Sequence, residues 1–246
     1  MNGKKALITG SSRGIGRAIA IKLAKDGYDI ILHYAGNEKK AKETELMIKE
    51  NGGNVTVIKA DLCDINAVKT LAEKMGDIDV LVLNASLQYR NKWEKITLDE
   101  TQNQLTCNFI ASLMLIQSAV PYMKKQKWGR IVTIGSVQEV KPHPDMLVYS
   151  ASKAAQTNMV KSLSLQLAGD GITVNNVAPG VIYTDRNVEA LSDPEYAKKV
   201  TDSIPVGFYG EPEDCAGIVS LLCSNEGRYI TGQNIFVDGG KSVQWL

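Results

Sequence analysis

The 246-residue sequence is poor in the residue types that build metal sites and disulfide bridges. It contains two histidines, and its four cysteines (Cys63, Cys107, Cys215 and Cys223) show no paired spacing. We therefore expect buried, reduced thiols and no bound metal, because zinc sites need clustered Cys or His ligands. This excludes the class of enzymes that polarise a substrate oxygen with zinc.

The sequence also lacks an excess of charge of either sign. Its 28 Lys and Arg residues are interspersed with 27 Asp and Glu residues, for a net charge of +1, which argues against a nucleic-acid or membrane-surface partner. The longest apolar stretch, residues 109–120, is interrupted by Ser and Gln and is too short to span a bilayer. Residues 1–10 carry charge and no apolar signal region, so we expect a cytoplasmic protein.

What the sequence does contain is a regular alternation of short apolar runs with helical patterns. The predicted strands cover residues 6–8, 29–33, 55–59, 80–83, 130–134, 173–178 and 234–237. The predicted helices start near residue 15, after Asp64 (ending at residue 75), and over residues 39–50, 99–125, 149–168 and 211–223. This alternation predicts one α/β domain over residues 1–246: a doubly wound, Rossmann-type, seven-stranded parallel sheet with helices on both faces. Residues 183–210 lack a strand pattern and are expected to form a substrate lid with short helical pieces.

A glycine-rich stretch follows the first predicted strand. Gly10, Gly14 and Gly16 have the spacing G-x-x-x-G-x-G and lie between that strand and the first helix. A helix N-terminus offers free N–H groups to a phosphate, and the glycines let the backbone turn tightly and approach the ligand. The pattern therefore favours a dinucleotide site, with a purely structural turn as the alternative.

Four polar residues are candidates for acid–base chemistry. Tyr149 and Lys153 are four residues apart on a predicted helix, so they share one face, and the ammonium favours the phenolate form of tyrosine. Ser136 closes the fifth predicted strand, where its hydroxyl can bond a substrate oxygen. Asn108 lies inside a long predicted helix, where its amide can bond main chain and water in a local bend. Taken singly, these residues also fit an exposed pair, a turn and a simple polar position.

Together these motifs resemble those of the short-chain dehydrogenase/reductase family along essentially the whole chain. The matching stretches are Thr9-Gly10 with Gly14 and Gly16, Asp61-Leu62, Asn84-Ala85, Asn108, Ser136, Tyr149 with Lys153, Pro179-Gly180 and residues 237–240. The resemblance implies hydride transfer without a metal and a catalytic tetrad of Asn108, Ser136, Tyr149 and Lys153. One departure is visible, because Ser86 stands where the family usually has glycine.

The resemblance and the glycine turn together predict where the cofactor binds. Asp61 and Leu62 are implied to contact the adenine, and Asn84, Pro179 and Thr184 the nicotinamide. The complete expected cofactor set is Gly10, Ser12, Arg13, Gly14, Ile15, Gly16, His33, Tyr34, Asp61, Leu62, Asn84, Ala85, Tyr149, Lys153, Pro179, Gly180, Ile182 and Thr184.

The end of the second predicted strand bears on the choice between the two nicotinamide cofactors. An NAD site normally places Asp or Glu there to bind the ribose 2′-hydroxyl, whereas this chain has no acid between His33 and Asn37. Arg13, inside the glycine turn, can make charge-assisted bonds to a 2′-phosphate, and His33 can add a contact. We therefore predict NADP(H) rather than NAD(H), with a merely solvated Arg13 as the alternative.

The loops after the fourth and fifth strands and the expected lid are rich in polar groups. Among them we expect four residues to contact the substrate: Gln88, Gln138, His143 and Arg186. A hydroxyl-rich ligand would satisfy such groups, whereas an apolar acyl chain would leave them unpaired. The sequence therefore favours a small keto or hydroxy compound of the sugar, sugar acid or polyol type as substrate.

Two alternatives stay open. The whole chain looks closest to the 3-oxoacyl-(acyl-carrier-protein) reductases, yet Asp170 stands in a turn where related reductases tend to have Arg, and an acidic carrier protein needs a basic docking surface. A non-catalytic NADP(H)-binding sensor is the remote alternative, since fold does not fix function. Presence of all four catalytic candidates favours an enzyme.

The resemblance also implies a homotetramer. The two long helices around Asn108 and Tyr149 carry apolar residues that could pair across a two-fold axis: Phe109, Leu113, Ile116, Met159, Leu163 and Leu167. The alternative is that these residues belong to the core against the sheet.

Overall fold

One parallel sheet organises the protein. The structure, a computed structural model, describes residues 3–244 except for the side chain of Ala190, so the ends of the expected domain lie outside the described residues. Its strands, in the order β3-β2-β1-β4-β5-β6-β7, are β1 Lys5–Ile8, β2 Asp29–Tyr34, β3 Val55–Lys59, β4 Val80–Leu83, β5 Gly129–Ile134, β6 Ile172–Pro179 and β7 Asn234–Val237. The predicted doubly wound, seven-stranded parallel sheet is confirmed.

Helices cover both faces of this sheet. They are α1 Gly14–Lys25, α2 Glu38–Glu50, α3 Ile65–Met75, α4 Leu98–Leu105, α5 Ala111–Gln126, α6 Leu147–Leu167, α7 Val188–Leu191, α8 Pro194–Asp202 and α9 Pro212–Cys223. The predicted helix ends differ from these by one or two residues. The long helix predicted over residues 99–125 is interrupted by a π-helical turn at Thr106–Ile110. As predicted, Asp64 caps α3, and its Oδ1 accepts a hydrogen bond of 2.8 Å from the amide of Asn66.

The apolar runs of the sequence form two core layers, one on each face of the sheet. Successive side chains of a strand point to opposite faces, so Leu7 and Leu81 join the layer under α3, α5 and α6. Ile8 and Val82 join the layer under α1, α2 and α9. Strands that are buried on both faces need apolar residues at every position, which explains the continuous runs.

The segment from α4 through α5, Leu98–Gln126, is longer than the apolar stretch seen in the sequence. It has 29 residues, and the mean hydropathy of its most apolar 18-residue window is 1.3, so by length and composition alone it could reach across a bilayer. The sequence expectation concerned the apolar stretch 109–120 alone, and the helical segment that contains it is longer. Its inner face, however, packs in the first core layer, and Gln104 and Asn108 are buried there with hydrogen-bond partners. It is a core helix of the α/β fold.

The cysteines are all free thiols. Cys107, Cys215 and Cys223 are buried, while Cys63 is half-buried. Within residues 3–244, no three His, Cys, Asp or Glu side chains come together in the way that a metal site requires.

The apolar residues expected to pair between subunits are used largely within the chain. Ile116, Met159 and Leu167 are buried in the first core layer, so they cannot form an interface. Phe109, Leu113 and Leu163 are partly buried against the same layer. The alternative, that these residues belong to the core, therefore holds for the three buried ones, because helical spacing does not tell a core face from an outer one. The large apolar side chains exposed on these helices are instead Leu98, Leu105, Ile110, Leu147 and Leu165.

Candidate active site

A single cavity collects the residues that the sequence singled out. Parallel strands end at a common edge, and the segments that follow the seven strands enclose about 1110 Å³ there. Every residue of the expected cofactor set except Lys153 lines this cavity, as do the four expected substrate residues and Ser136. Lys153 and Asn108 are buried behind its wall. The order of the strands in the sheet has therefore brought motifs that are far apart in the sequence to one edge of the sheet.

The glycine turn after β1 forms a cradle at one end of the cavity. Gly10 and Gly14 have φ of 64° and 55°, in the left-handed region that side chains avoid. A Cβ on Gly16 would overlap the carbonyl oxygen of Gly10 and the side-chain amide of Asn84. The N-terminus of α1 carries no side-chain cap and no acid in its first turn, so its N–H groups are open to an anion. These residues fit the pyrophosphate of a dinucleotide.

Asn84 holds this turn in shape. Its Nδ2 donates to the carbonyl oxygens of Thr9 and Gly10, at 2.9 and 3.1 Å. The backbone amides of Asn84 and Ala85 both donate to Thr9 Oγ1, at 2.9 and 3.0 Å. The side chain of Asn84 is thus committed to fastening β4 to the glycine turn, and what it offers a nicotinamide is the position of its backbone.

His33 supports the turn from behind. Its Nδ1 accepts from the amide of Gly10 at 3.0 Å, and its Nε2 donates to the carbonyl of Ala60 at 3.0 Å. Burial lowers the pKa of His33 to about 4, despite opposing contributions from the Ala60 carbonyl and Asp61. The ring therefore has neither a free nitrogen nor a charge to offer a 2′-phosphate, which corrects the expectation for this residue.

The surroundings of Arg13 keep it available to a phosphate. Its guanidinium is exposed and lies 3.4 Å from Asp185 of the expected lid, a weak contact at such exposure. Beyond β2, Asn37 caps α2 by accepting from the Lys40 amide at 3.0 Å. The next acid, Glu38, pairs with Lys42 at 2.7 Å. No carboxylate at the end of β2 is thus aimed at a ribose hydroxyl.

Tyr149 and Lys153 lie on one face of the first turns of α6. Tyr149 lines the cavity, and the Lys153 amine is 5.8 Å from the centre of its ring. The amine donates to the Ile134 carbonyl at 2.7 Å and to Gln156 Oε1 at 3.1 Å. Burial lowers the pKa of Lys153 to about 8, helped by the charge of Arg186 and opposed by Cys107 and Glu139. The amine is therefore held against the back of the tyrosine.

Asn108 lies in the π-helical turn, which is the local bend that the sequence predicted. Its Oδ1 accepts from the Leu87 amide at 2.8 Å, while its Nδ2 donates to the Leu87 carbonyl and to Ser152 Oγ, both at 3.0 Å. The amide thus joins the loop after β4 to α6.

Gln156 is a buried polar residue that the sequence reasoning missed. Its Nε2 donates to Ser112 Oγ at 3.1 Å, and that hydroxyl donates to the carbonyl of Asn108 at 3.0 Å. Hydrogen bonds therefore run from Lys153 through Gln156 and Ser112 to the π-helical turn. The available signal was the i, i+3 spacing of Gln156 from Lys153, which places both on one helix face.

Ser136 follows β5 at the cavity wall. Its Oγ accepts from the amide of Gln138 at 3.2 Å, which leaves the hydroxyl proton free for an oxygen in the cavity. Glu139, just beyond, accepts from Thr157 Oγ1 at 2.6 Å and from Asn234 Nδ2 at 2.5 Å. These bonds fasten the Ser136 loop to α6 and β7.

Three of the four expected substrate residues are held by specific contacts. Gln138 Oε1 accepts from the His143 amide at 2.6 Å, and His143 Nδ1 accepts from the Asp145 amide at 3.1 Å. The neutral His143 ring thus carries its proton on Nε2. Arg186 donates to the carbonyl and hydroxyl of Ser86, at 3.1 and 3.2 Å. Ser86, which stands where the family usually has glycine, therefore contacts the expected lid through Arg186.

Residues 183–210 contain the short helices α7 and α8, as predicted. The two ends of the whole segment are joined by a β-bridge between Ile182 and Gly210 and by the stacked rings of Tyr183 and Tyr209, whose centres are 5.6 Å apart. Tyr196 of α8 lines the cavity, and so does Lys241, which follows β7. The sequence reasoning missed both residues. Lys241 could have been found, because a residue shortly after a parallel strand lies at the same edge of the sheet.

A glycine cradle beside a tyrosine backed by a buried lysine, at the carboxyl edge of an open α/β sheet, defines a class: the dinucleotide-dependent oxidoreductases. The comparison with known proteins narrows the class. The chain belongs to the short-chain dehydrogenase/reductase family, and a family model described as enoyl-(acyl carrier protein) reductase matches residues 10–242. It is an oxidoreductase acting on hydroxyl or keto groups.

Individual relatives point to more than one substrate. The chain is 38% identical over 241 residues to a 3-oxoacyl-[acyl-carrier-protein] reductase of Staphylococcus aureus, covering 96% of this chain and 97% of the relative. A solved 3-oxoacyl (acyl-carrier-protein) reductase of Agrobacterium tumefaciens with bound NADP superposes with a TM-score of 0.92 at 36% identity, over 97% and 94% of the two chains. A structure described as an NAD(P)-dependent gluconate 5-dehydrogenase of Beutenbergia cavernae, also with NADP, gives 0.93 at 34% identity, over 99% and 98%.

Proposed function

We propose that this protein transfers a hydride between NADP(H) and the carbonyl or alcohol carbon of a small polar compound of the sugar, sugar acid or polyol type. The observation that carries this proposal is the polar lining beside Tyr149 and Ser136. Gln138, His143 and Arg186 line the same cavity, and protein partners occupy Gln138 Oε1, His143 Nδ1 and one guanidinium nitrogen of Arg186. A hydroxyl-rich ligand can pair with their remaining nitrogens, where an acyl chain cannot.

The side chains divide the acid–base work between them. When bound, NADP(H) supplies or takes up the hydride at the reacting carbon. The Tyr149 hydroxyl exchanges a proton with the substrate oxygen, and the Ser136 hydroxyl donates a hydrogen bond to that oxygen. The Lys153 ammonium stabilises the phenolate that Tyr149 becomes when it gives up its proton.

The preference for NADP(H) rests on charge. Arg13 is exposed beside the cradle, and no acid at the end of β2 competes for the ribose. Two relatives described above were crystallised with NADP. Charge-assisted bonds from Arg13 to the 2′-phosphate would distinguish NADP(H) from NAD(H).

A cytoplasmic homotetramer without nucleic-acid or membrane partners is part of this proposal. Exposed Leu105, Ile110 and Leu165 on the two long helices support a subunit contact. Light scattering at micromolar concentration tests it, and a monomer would contradict it.

Reduction of 3-oxoacyl thioesters is the second candidate. The relatives of that description support it, and so does the turn around Asp170. Lys124 and Lys127 lie 3.2 and 2.8 Å from that carboxylate, so the turn is less acidic than the sequence argument assumed. A basic contribution to carrier-protein docking therefore remains at this turn.

One screen separates the two candidates. Absorbance of NADPH is followed with acetoacetyl thioesters, keto-sugars and keto-acids, and NADP⁺ reduction is followed with sugar acids and polyols. We expect turnover of polar compounds. Efficient turnover of the thioester with none of the polar compounds would overturn the proposal in favour of the second candidate.

A further inference from the structure

Lys241 places a positive charge in the wall of the active-site cavity. It follows β7, is half-buried, and lines the same cavity as Tyr149, Gln138 and Tyr196. Its amine donates to Ser203 Oγ at 2.5 Å, at the C-terminal end of α8. Among the described residues, no carboxylate oxygen lies within 4.0 Å of this amine. An ammonium has three donors, so Ser203 leaves two of them for another acceptor.

The charged groups next to Lys241 leave an excess of positive charge around it. Lys141 is close enough for its charge, after burial, to lower the pKa of Lys241. The amine of Lys141 donates to the Gln244 carbonyl at 3.1 Å. Asp238 acts in the opposite direction, but its two oxygens accept from the amides of Gly240 and Ser242, at 3.0 and 2.6 Å. The surroundings of Lys241 therefore hold two ammonium groups, those of Lys241 and Lys141. The carboxylate of Asp238 opposes them, and its oxygens already accept hydrogen bonds from backbone amides.

The rest of the cavity does not reverse this balance. Of the three acids that the described residues place in its wall, Asp61 accepts from the Cys63 amide at 2.9 Å, Asp185 lies 3.4 Å from Arg13, and Glu189 is exposed on α7. Arg186 brings another positive charge from the same segment. A positive charge removed from water without a counter-ion costs free energy, so an anionic ligand would be favoured at this end of the cavity.

We propose that Lys241 binds an anionic group of the substrate, so that the substrate is a small hydroxy or keto acid rather than a neutral sugar or polyol. This inference rests on the proposed function and narrows it to the acids. A carboxylate and a phosphate ester share the required chemistry, and the two are separated by the choice of ligands.

Pairs of ligands that differ in one group test the charge. Oxidation by NADP⁺ is measured for hexonates such as D-gluconate, for the matching hexitols such as D-sorbitol, and for sorbitol phosphate. The variants are Lys241→Gln, which removes the charge, and Lys241→Arg, which keeps it. Lys141→Gln serves as the matched control, because Lys141 is a neighbouring cation that does not line the cavity.

We expect the natural protein to prefer an acid to its matching hexitol. Lys241→Gln should lower kcat/KM for that acid roughly ten- to hundredfold, as for the loss of a charged hydrogen bond, and leave the hexitol within about threefold. Lys241→Arg should restore most of the loss, and Lys141→Gln, which removes a charge outside the cavity wall, should lower kcat/KM for the acid much less than Lys241→Gln does. A preference for hexitols, or an equal loss for both ligands in Lys241→Gln, would overturn the inference while leaving the proposed function standing.

Calorimetry makes the inference independent of turnover. D-gluconate, sorbitol phosphate and D-sorbitol are titrated into the natural protein and into Lys241→Gln, each with NADPH present, because the reduced cofactor cannot oxidise these alcohols. The site is supported if D-gluconate or sorbitol phosphate binds, if Lys241→Gln weakens that binding, and if D-sorbitol does not bind in the same way. This result would stand even if the screen finds only thioester turnover and the proposed function fails. Anion binding that is equal in the two proteins, or no anion binding at all, would contradict it.

Discussion

The two ends of the active-site cavity are built in different ways. At the cofactor end, the glycine turn is fastened by side chains from three strands: Thr9, His33 and Asn84 make hydrogen bonds of 2.9 to 3.1 Å there. At the substrate end, the side-chain contacts of the first half of segment 183–210 are exposed, from Arg13 to Asp185 and from Arg186 to Ser86, and the bond from Lys241 to Ser203 holds its second half. Buried bonds are costly to break, whereas exposed ones contribute little.

This difference separates what the fold provides from what the individual chain provides. The cradle follows from strand order and glycine positions, and a change in its packed glycines or in the buried side chains that hold them should damage folding and cofactor binding together. The substrate end depends on charges and hydroxyls that loops carry, so changes there should alter selectivity and leave the fold intact. Tyr149 lies where the two ends meet.

The largest effect is expected at that meeting point. Tyr149→Phe removes only the hydroxyl that exchanges the proton, and general acid–base groups typically contribute ~10²–10⁴ in rate. Turnover should therefore fall by at least ~10² while NADPH still binds, as measured by its fluorescence on titration. Tyr183→Phe, on the stacked pair outside the chemistry, is the control. Turnover of Tyr149→Phe within about tenfold of the natural protein would contradict the assignment.

At the cofactor end, Gly16→Ala tests whether folding and cofactor binding fall together. The added Cβ would overlap the Gly10 carbonyl oxygen and the Asn84 amide, and such overpacking costs about 3 kcal/mol in free energy of unfolding. Urea denaturation and NADPH titration should both show a loss. Gly217→Ala is the matched control, because a Cβ there meets nothing within 4 Å. Equal behaviour of the two variants would mean that the cradle is not tightly packed.

Arg13 should affect cofactor choice without affecting the fold. Removal of one charge-assisted bond to the 2′-phosphate corresponds to a loss of roughly ten- to hundredfold. Arg13→Ala should therefore lower kcat/KM for NADPH by that factor and leave the value for NADH nearly unchanged. A natural protein that prefers NAD(H), or an equal loss with both cofactors, would reject the role. Unchanged urea denaturation checks that the fold is intact.

The sequence predicted the cofactor end better than the substrate end for a physical reason. Glycine spacing, apolar periodicity and an i, i+4 pair are local patterns, and they located the strands, the cradle and Tyr149 with Lys153. Partners that come from distant segments leave no such pattern. His33 was misjudged because nothing near it in sequence shows that Gly10 and Ala60 occupy its ring. Lys241 was missed because its place in the cavity depends on the last strand pairing with β6.

Lys153 carries its charge in the interior behind Tyr149, where the two ends of the cavity meet. The pH dependence of the free energy of unfolding measures how strongly burial disfavours this charge. The pKa of Lys153 is about 8 in the folded protein against 10.5 for an ordinary lysine. Between these values the unfolded chain binds more protons, so the contribution of Lys153 to the free energy of unfolding rises with pH. From about pH 7.5 to about pH 9.5, the natural protein should gain ~2 kcal/mol relative to Lys153→Met. Urea denaturation without cofactor measures this, and a difference independent of pH would show that the amine is not desolvated.

The smallest effect is expected at Ser86, where the chain departs from its family. The Arg186 guanidinium reaches both the hydroxyl and the carbonyl of Ser86, so Ser86→Ala removes one exposed bond and leaves the other. An exposed bond of this kind is worth ~0.5 kcal/mol, a factor of about two. The KM for NADPH and for the substrate should therefore change less than about threefold in Ser86→Ala, whereas Arg186→Ala, which loses both bonds and a charge, should change them more. If Ser86→Ala were as damaging as Arg186→Ala, the hydroxyl would be the main anchor of residues 183–210, and the substrate end would be held as firmly as the cradle.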